Sequence, residues 1–270
     1  MYVAIDFGIS NTDLAISDQD KVVFHTTPSQ SSEINADTLK YILKKYEIDI
    51  SNVKKIGVTG GKSSDLDDEL DRVKIAKINE IDAIGLGAKK LYGIGEESAL
   101  VVSAGTGTAC VHLQGNNFNH LGGIAVGGGM LEGLGSLLFK NSNGLEINEF
   151  ANNGSRAELD LLIGDVVNKI GNLSPDITAV NFGQAKSSSA DTMENTAAAL
   201  CNMVGEVIGT VAYLNALLVG SDKACFIGRT SYLSEITDGI NQRLELAGIK
   251  GQYNDDRQYG NVIGAVSYTH

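Results

Sequence analysis

Ala99-Leu100-Val101-Val102-Ser103-Ala104-Gly105-Thr106-Gly107-Thr108 is an apolar run that closes in a turn of glycines and hydroxyls. It predicts a strand over Ala99–Ser103, a turn over Ala104–Thr108 and a return strand over Ala109–Leu113. The chain opens in the same way. Tyr2–Asp6 predicts a strand, Phe7-Gly8-Ile9-Ser10-Asn11-Thr12 a turn, Asp13–Ser17 a second strand and Val22–His25 a third. Set side by side, Ile5-Asp6-Phe7-Gly8-Ile9-Ser10 lies against Val102-Ser103-Ala104-Gly105-Thr106-Gly107. A further echo joins Lys55-Ile56-Gly57-Val58-Thr59-Gly60 to Ala224-Cys225-Phe226-Ile227-Gly228-Arg229-Thr230, each a strand ending in Gly and Thr. The pattern reads as a weak internal duplication. Two α/β halves, residues 1–98 and 99–270, each begin with a β-meander and enclose a cleft between them.

Helices fill the remainder. Leu39, Ile42, Leu43 and Tyr46 recur at helical spacing within Ala36–Tyr46, and Ile81–Tyr92 carries the small residues Ala83, Gly85, Gly87 and Ala88 that permit close packing. Short helices are predicted over Leu131–Phe139, Glu146–Phe150 and Arg156–Val167. A long one runs from Asp191 to Val219, opened by an Asp191-x-x-Glu194 capping box. That helix is apolar over much of its circumference, which predicts burial or a partner interface. Gly183–Ala190 is the best candidate for a mobile loop.

The 270 residues carry 33 acidic against 21 basic side chains, a formal charge of −12. This balance excludes a binder of nucleic-acid backbone, which needs a basic stripe to displace counterions. Glycine, 32 residues, reaches about 12% where ~7% is usual, with only two prolines beside it. The N-terminus lacks the basic and apolar regions of a signal peptide, and no stretch reads as a membrane span. Cys110, Cys201 and Cys225 lack CxxC spacing and read as buried thiols rather than a metal or redox site. The expectation is a soluble cytoplasmic protein that engages neither nucleic acid nor membrane.

Three glycine turns are the candidate chemistry: Gly8–Thr12, Gly105–Thr108 and Gly127-Gly128-Gly129-Met130. Each places backbone N–H groups at a strand end or helix start, a concave donor surface for phosphate oxygens. There is no GxxxxGK[ST], and a turn between two strands is not a Rossmann fingerprint. Two facing meander turns that grip a polyphosphate fit better. Asp6, directly before the first turn, is suited either to Mg2+ beside the phosphates or to capping the turn. Glu80, opening a helix in Ile78-Asn79-Glu80-Ile81, is either a desolvated base or a first-turn carboxylate stabilised by the helix dipole. Asp82 lies about 200° around the helix from it and forms no dyad.

Ser103–Thr108, followed by Leu121-Gly122-Gly123-Ile124-Ala125-Val126-Gly127-Gly128-Gly129-Met130-Leu131-Glu132-Gly133-Leu134-Gly135, resembles the type II pantothenate kinases. Ile177–Gly183 and Val262-Ile263-Gly264-Ala265 resemble further segments of that family, so the likeness covers nearly the whole chain in order. It implies duplicated actin-like ATPase (ribonuclease H-like) domains with an interdomain nucleotide cleft. It implies an ATP-dependent kinase with Mg2+, a homodimer, and pantothenate as the small-molecule substrate phosphorylated on its primary hydroxyl. By the same likeness Glu80 is the catalytic base, and Asp6, Gly8, Ser10, Asn11, Thr12, Gly105, Thr106 and Gly107 form the phosphate turns. Gly128, Gly129, Met130, Leu131, Glu132 and Gly228 lie with the nucleotide, and His120, Gly122 and Gly123 with the acceptor. Two departures stand out. The first turn lacks the usual Asp-x-Gly-Gly-Thr with a following lysine and places Asp13 at that lysine. Asn119-His120-Leu121 stands where the family usually has an arginine for the pantothenate carboxylate. A strand-end histidine donates one hydrogen bond but not a bidentate fork. The alternatives are a kinase for a carboxylate-free relative such as pantetheine, a nucleotide- or acyl-CoA-binding pseudokinase, or an ATPase that activates a partner enzyme.

Overall fold

The computed structural model describes residues 1–19, 21–29, 33–168, 174–187 and 189–269. The chain begins with β1 (Tyr2–Phe7), β2 (Asn11–Asp18), β3 (Lys21–Pro28), α1 (Ala36–Lys45), β4 (Lys55–Thr59), β5 (Glu69–Leu70), β6 (Val73–Lys77) and α2 (Glu80–Tyr92). It continues with β7 (Ser98–Ala104), β8 (Thr108–Gln114), β9 (Asn117–Ile124), α3 (Gly128–Phe139), α4 (Gly144–Asn152), β10 (Leu161–Leu162), α5 (Ile163–Val166) and β11 (Thr178–Val180). Last come α6 (Met193–Val219), β12 (Lys223–Ile227), α7 (Ser234–Glu245), β13 (Lys250–Tyr253) and α8 (Gly260–Ser267).

Two sheets carry these elements. One runs β3-β2-β1-β4-β6-β5 and the other β9-β8-β7-β12-β13, beside a small β10–β11 pair. In both, an antiparallel meander is joined by a strand parallel to its first member: β4 beside β1, and β12 beside β7. A further parallel strand, β6 or β13, extends each. The sequence duplication is therefore a duplication of strand order.

Strand alternation sorts the two faces. Val3, Ile5 and Phe7 of β1 pack outward with Leu39, Ile42 and Leu43 of α1. Leu100 and Val102 of β7 pack outward against α6 and α7. The inner faces carry Ala4 and Ala15 on one sheet and Ala99, Val101 and Val111 on the other, covered by α2 and α8. The two helices change sides. α2, from the first half of the chain, packs on β7, β8, β9 and β12, while the terminal α8 packs on β1, β2 and β4. Each half of the chain thus lends a helix to the other's sheet. Where α2 and α8 cross, a Cβ on Gly87 would collide with the Gly260 carbonyl and one on Gly264 with the Ala83 carbonyl, so only glycine permits this approach.

Several expectations are corrected. Arg156–Val167 is not a helix but a 3-10 turn, the two-residue β10 and the single turn α5. The carboxylate of the fully buried Asp160 accepts from the Phe182 amide and so draws the chain toward β11. The long helix starts at Met193, capped by the Thr192 hydroxyl rather than by Asp191. The β5–β6 hairpin, turning through Asp71 and Arg72 at positive φ, was not foreseen. Part of Gly183–Ala190, expected as a mobile loop, forms consecutive hydrogen-bonded turns; Ser188 lies outside the described residues. On length and composition α6 could span a membrane, but most of that stretch is buried inside the protein. The three cysteines are free and buried, and burial pushes Cys110 and Cys225 up to about 11 and Cys201 to about 12, as befits unreactive thiols.

Gly87→Val and Gly264→Val should each cost on the order of 1–3 kcal/mol or more by overpacking the helix crossing, read as a lowered Tm. Gly133→Ala, whose added methyl group meets nothing within 4 Å, should leave Tm unchanged or raise it.

Candidate functional site

The inner faces of β1 and β7 end at Asp6 and Ser103, and both residues line a cleft of about 1200 Å3 between the sheets. The two meander turns close over it, with the hydroxyls of Ser10 and Thr106 2.9 Å apart. Of the expected phosphate-turn residues, Gly8, Ser10, Asn11, Gly105, Thr106 and Gly107 line this cleft. Thr12 does not. It is buried, its hydroxyl lies 3.3 Å from that of Ser29, and it lines a separate cavity of about 760 Å3 behind the first turn.

The third glycine turn is built differently from expectation. Gly128, Gly129, Leu131, Glu132 and Gly228 line the cleft, whereas Met130 does not. The amides of Gly128 and Gly129 are already engaged: they donate to the carbonyls of Gly105 (2.9 Å) and Thr106 (3.0 Å). The Thr230 hydroxyl donates to the same Gly105 carbonyl at 2.7 Å. This turn therefore braces the Gly105–Thr108 turn rather than presenting bare N–H groups.

Glu80 is the first residue of α2, after the N-cap Asn79, and its exposed side chain lines the cleft with both turns. Asp82 is occupied elsewhere. Its amide donates to the Asn79 side chain at 2.9 Å, and its carboxylate accepts from the Asn79 amide group at 2.5 Å. On the acceptor side, Gly123 lines the cleft but His120 and Gly122 do not. A bulge at the Cys110–Val111 step pairs Cys110 with Gly122 and Val111 with His120, leaving Leu121 unpaired, and the His120 side chain is exposed.

Two carboxylates stand side by side at the cleft floor, because the β1–β2 register pairs Asp6 with Asp13. Asp6 fits only because Gly60 has no Cβ, which would strike the Asp6 carboxylate oxygen. Burial first, then the charges of Asp13 and Glu80, push Asp6 up to about 8, against the pull of an Asn261 hydrogen bond and of Arg229. Arg229 was not foreseen in any role. It reaches across from the turn after β12, donating to Asp13 through Nη1 at 2.9 Å and Nη2 at 2.5 Å, and through Nη2 to Thr26 at 2.8 Å. Burial works against its charge, but Asp13 outweighs that and holds the guanidinium above its usual range. The sequence signal was the strand echo, which ended directly on Gly228-Arg229-Thr230.

A Mg2+ ion arriving with phosphates suits this floor. Mg2+ takes one or two carboxylates and completes its shell with water and phosphate oxygens. Asp6 is a carboxylate that burial makes costly to ionise without a cation beside it. Among the described residues no cluster of three metal-binding side chains could hold an ion without such help.

Paired sheets of one strand order, facing across a cleft closed by matched turns, define a two-lobed fold of the actin-like class. The activator of 2-hydroxyisocaproyl-CoA dehydratase from Clostridium difficile with bound ADPNP shares this fold at a TM-score of 0.67. The two are 16% identical, over 99% of this chain and 93% of that one. A ROK family glucokinase from Streptomyces griseus in complex with glucose and AMPPNP aligns at 0.60 and 11% identity, over 99% and 98%. The family model described as Fumble matches residues 98–237. A type II pantothenate kinase from Bacillus cereus strain ZK / E33L is 30% identical over 84% of this chain and 82% of its own. One from Oceanobacillus iheyensis is 29% identical over 84% of each. The chain belongs to the Fumble family, that of the type II pantothenate kinases.

The raised Asp6 ties stability to pH. The folded state holds this proton more tightly than the unfolded chain, whose carboxyl titrates near 3.8. Its contribution is therefore complete below that value and lost as pH rises through about 8. In metal-free buffer, the Tm of the wild type should fall relative to Asp6→Asn between about pH 5 and 9. Parallel Tm curves would contradict the assignment.

Proposed function

We propose that the protein is an ATP-dependent pantothenate kinase that phosphorylates the primary hydroxyl of pantothenate, the first step toward coenzyme A. The observation that carries this reading is the position of Glu80, a carboxylate sharing one cleft with both glycine–hydroxyl turns and with Asp6. The names of the relatives support the same acceptor.

In this reading the triphosphate lies between Gly8–Asn11 and Gly105–Gly107, and the hydroxyls of Ser10 and Thr106 turn from each other to its oxygens. Asp6 would hold a Mg2+ ion, which would supply charge neutralisation for the phosphates. Glu80 orients the acceptor hydroxyl and takes its proton as the oxygen attacks the γ-phosphorus in line. One P–O bond forms, the bond to the β-phosphate breaks, and ADP departs. Positioning and charge compensation supply most of the rate. Of the expected residues on β9, Gly123, which lines the cleft, belongs to the acceptor end. A cytoplasmic homodimer is part of the proposal. The exposed Leu214, Leu217 and Leu218 near the end of α6 favour self-association there.

Glu80→Gln should lower kcat for ADP release with Mg·ATP and pantothenate by roughly 10²–10⁴-fold while nucleotide affinity is kept. Wild-type turnover on pantetheine or a sugar but not on pantothenate would reassign the acceptor. Nucleotide binding with no transfer to any alcohol would remove the kinase reading.

A further inference from the structure

The charged side chains that line the cleft are Asp6, Asp13, Glu80, Glu132 and Arg229. Four are acidic, and among the described residues Arg229 is the one basic side chain on that wall. A triphosphate adds several negative charges to the same volume, and like charges a few ångströms apart repel strongly where water is excluded. Any site for it here needs a protein cation as well as a metal. Among the described residues no lysine lines the cleft.

Arg229 is placed for that work. It stands between Gly228 and Thr230, and Thr230 is bonded to the Gly105 carbonyl of the second phosphate turn. About a third of its side chain remains exposed, whereas the Asp13 it grips is 5% exposed. A guanidinium has five N–H donors. Asp13 and Thr26 receive three hydrogen bonds from Nη1 and Nη2, and none from Nε appears among the described residues. Thr26 in turn donates to Asp13 at 2.7 Å, so the carboxylate is itself held from two sides. A planar cation with unspent donors is thus fixed by a buried carboxylate at the wall of the cleft.

We propose that Arg229 is a triphosphate-binding residue, contributed by the second sheet and oriented by Asp13 on the first. Asp13 is its positioning residue and not a repulsive neighbour of the nucleotide. The proposal rests on the nucleotide-cleft part of the reading above but not on the identity of the acceptor. It differs from a simple clamp between the lobes, in which breaking the pair from either side has the same effect.

Binding of a non-hydrolysable Mg·ATP analogue and of AMP, measured by calorimetry, separates the two. Loss of a charge-assisted contact predicts that Arg229→Gln weakens the analogue by about ten- to a hundredfold and AMP by less than about twofold. Asp13→Asn keeps the cation and should weaken the analogue by less than about threefold. Arg229→Lys, with a cation but no planar fork, should fall between wild type and Arg229→Gln. It also serves if the glutamine variant does not fold. Equal losses in Arg229→Gln and Asp13→Asn would overturn the proposal in favour of a clamp. Equal losses of AMP and the analogue would overturn it in favour of general damage to the site. A wild type that binds no triphosphate overturns this proposal together with the nucleotide cleft. A wild type that binds it but transfers nothing to pantothenate overturns only the acceptor.

Discussion

Two adjacent strands bring their carboxylates, Asp6 and Asp13, to the same rung at the floor of a cleft. Like charges directly opposite on one sheet face are unfavourable, and burial makes the pair worse. The protein resolves this by treating the two differently. Asp6 is pushed toward its neutral form beside Asn261, while Asp13 is kept with a guanidinium from the opposite sheet. Asn261 belongs to α8 and Arg229 to the turn after β12, so both compensations come from the far end of the chain. Packing of α8 on the first sheet brings Asn261 there, and the turn after β12 carries Arg229 across the cleft. The acidic floor and the helix exchange are therefore parts of one constraint: neither sheet can close the site alone.

The repeat was legible because each half writes the same alternation. Ile5 and Val102 face outward, while Asp6 and Ser103 fall on the inner face where the strands end. The helix exchange was not legible. Gly87 and Gly264 announce close packing in the sequence, but a glycine does not say which backbone it admits. His120 shows how one extra residue changes a site. The bulge at Leu121 shifts the pairing of β9, and the histidine ends on an exposed surface while Gly123 remains in the cleft. The third glycine turn read as a donor surface because a sequence cannot show that its amides are already spent on Gly105 and Thr106. Arg229 escaped notice because its partner lies 216 positions away.

Ile177–Gly183 was recognisable as a segment without a visible reason. Packing supplies one. The Thr178 hydroxyl accepts from Arg156 at 2.8 Å and from Asn202 of α6 at 3.2 Å, and Asn181 donates to Glu206 of the same helix at 2.8 Å. Arg243 of α7 pairs with Glu206 at 2.9 Å, and burial raises Asp160 to about 6. Breaking one partner of such a buried network leaves another uncompensated, which costs far more than an exposed pair. The segment thus fixes α6 and α7 to β11, behind the sheet that carries the Gly105–Thr108 turn. Its chemistry is that of a foundation, outside the cleft.

The contact between Ser10 and Thr106 has the opposite character. Both hydroxyls are solvent-accessible, and a single neutral hydrogen bond contributes only about 0.5–1.5 kcal/mol net. It can hold the two turns in register but cannot hold the cleft shut against a ligand. A hydroxyl is at once donor and acceptor, so each can release its neighbour and donate to a phosphate oxygen without leaving a polar group unpaired. In the proposed reading, phosphate entering between the turns would exchange one hydrogen bond for two, both charge-assisted. Beneath them the pair of Arg229 with the buried Asp13 is charged and bidentate, and it leaves about a third of the guanidinium side chain open. The weak contact at the mouth can thus give way to a ligand, while the charged one at the floor fixes the orientation of the guanidinium, two requirements that a single interaction could not meet together.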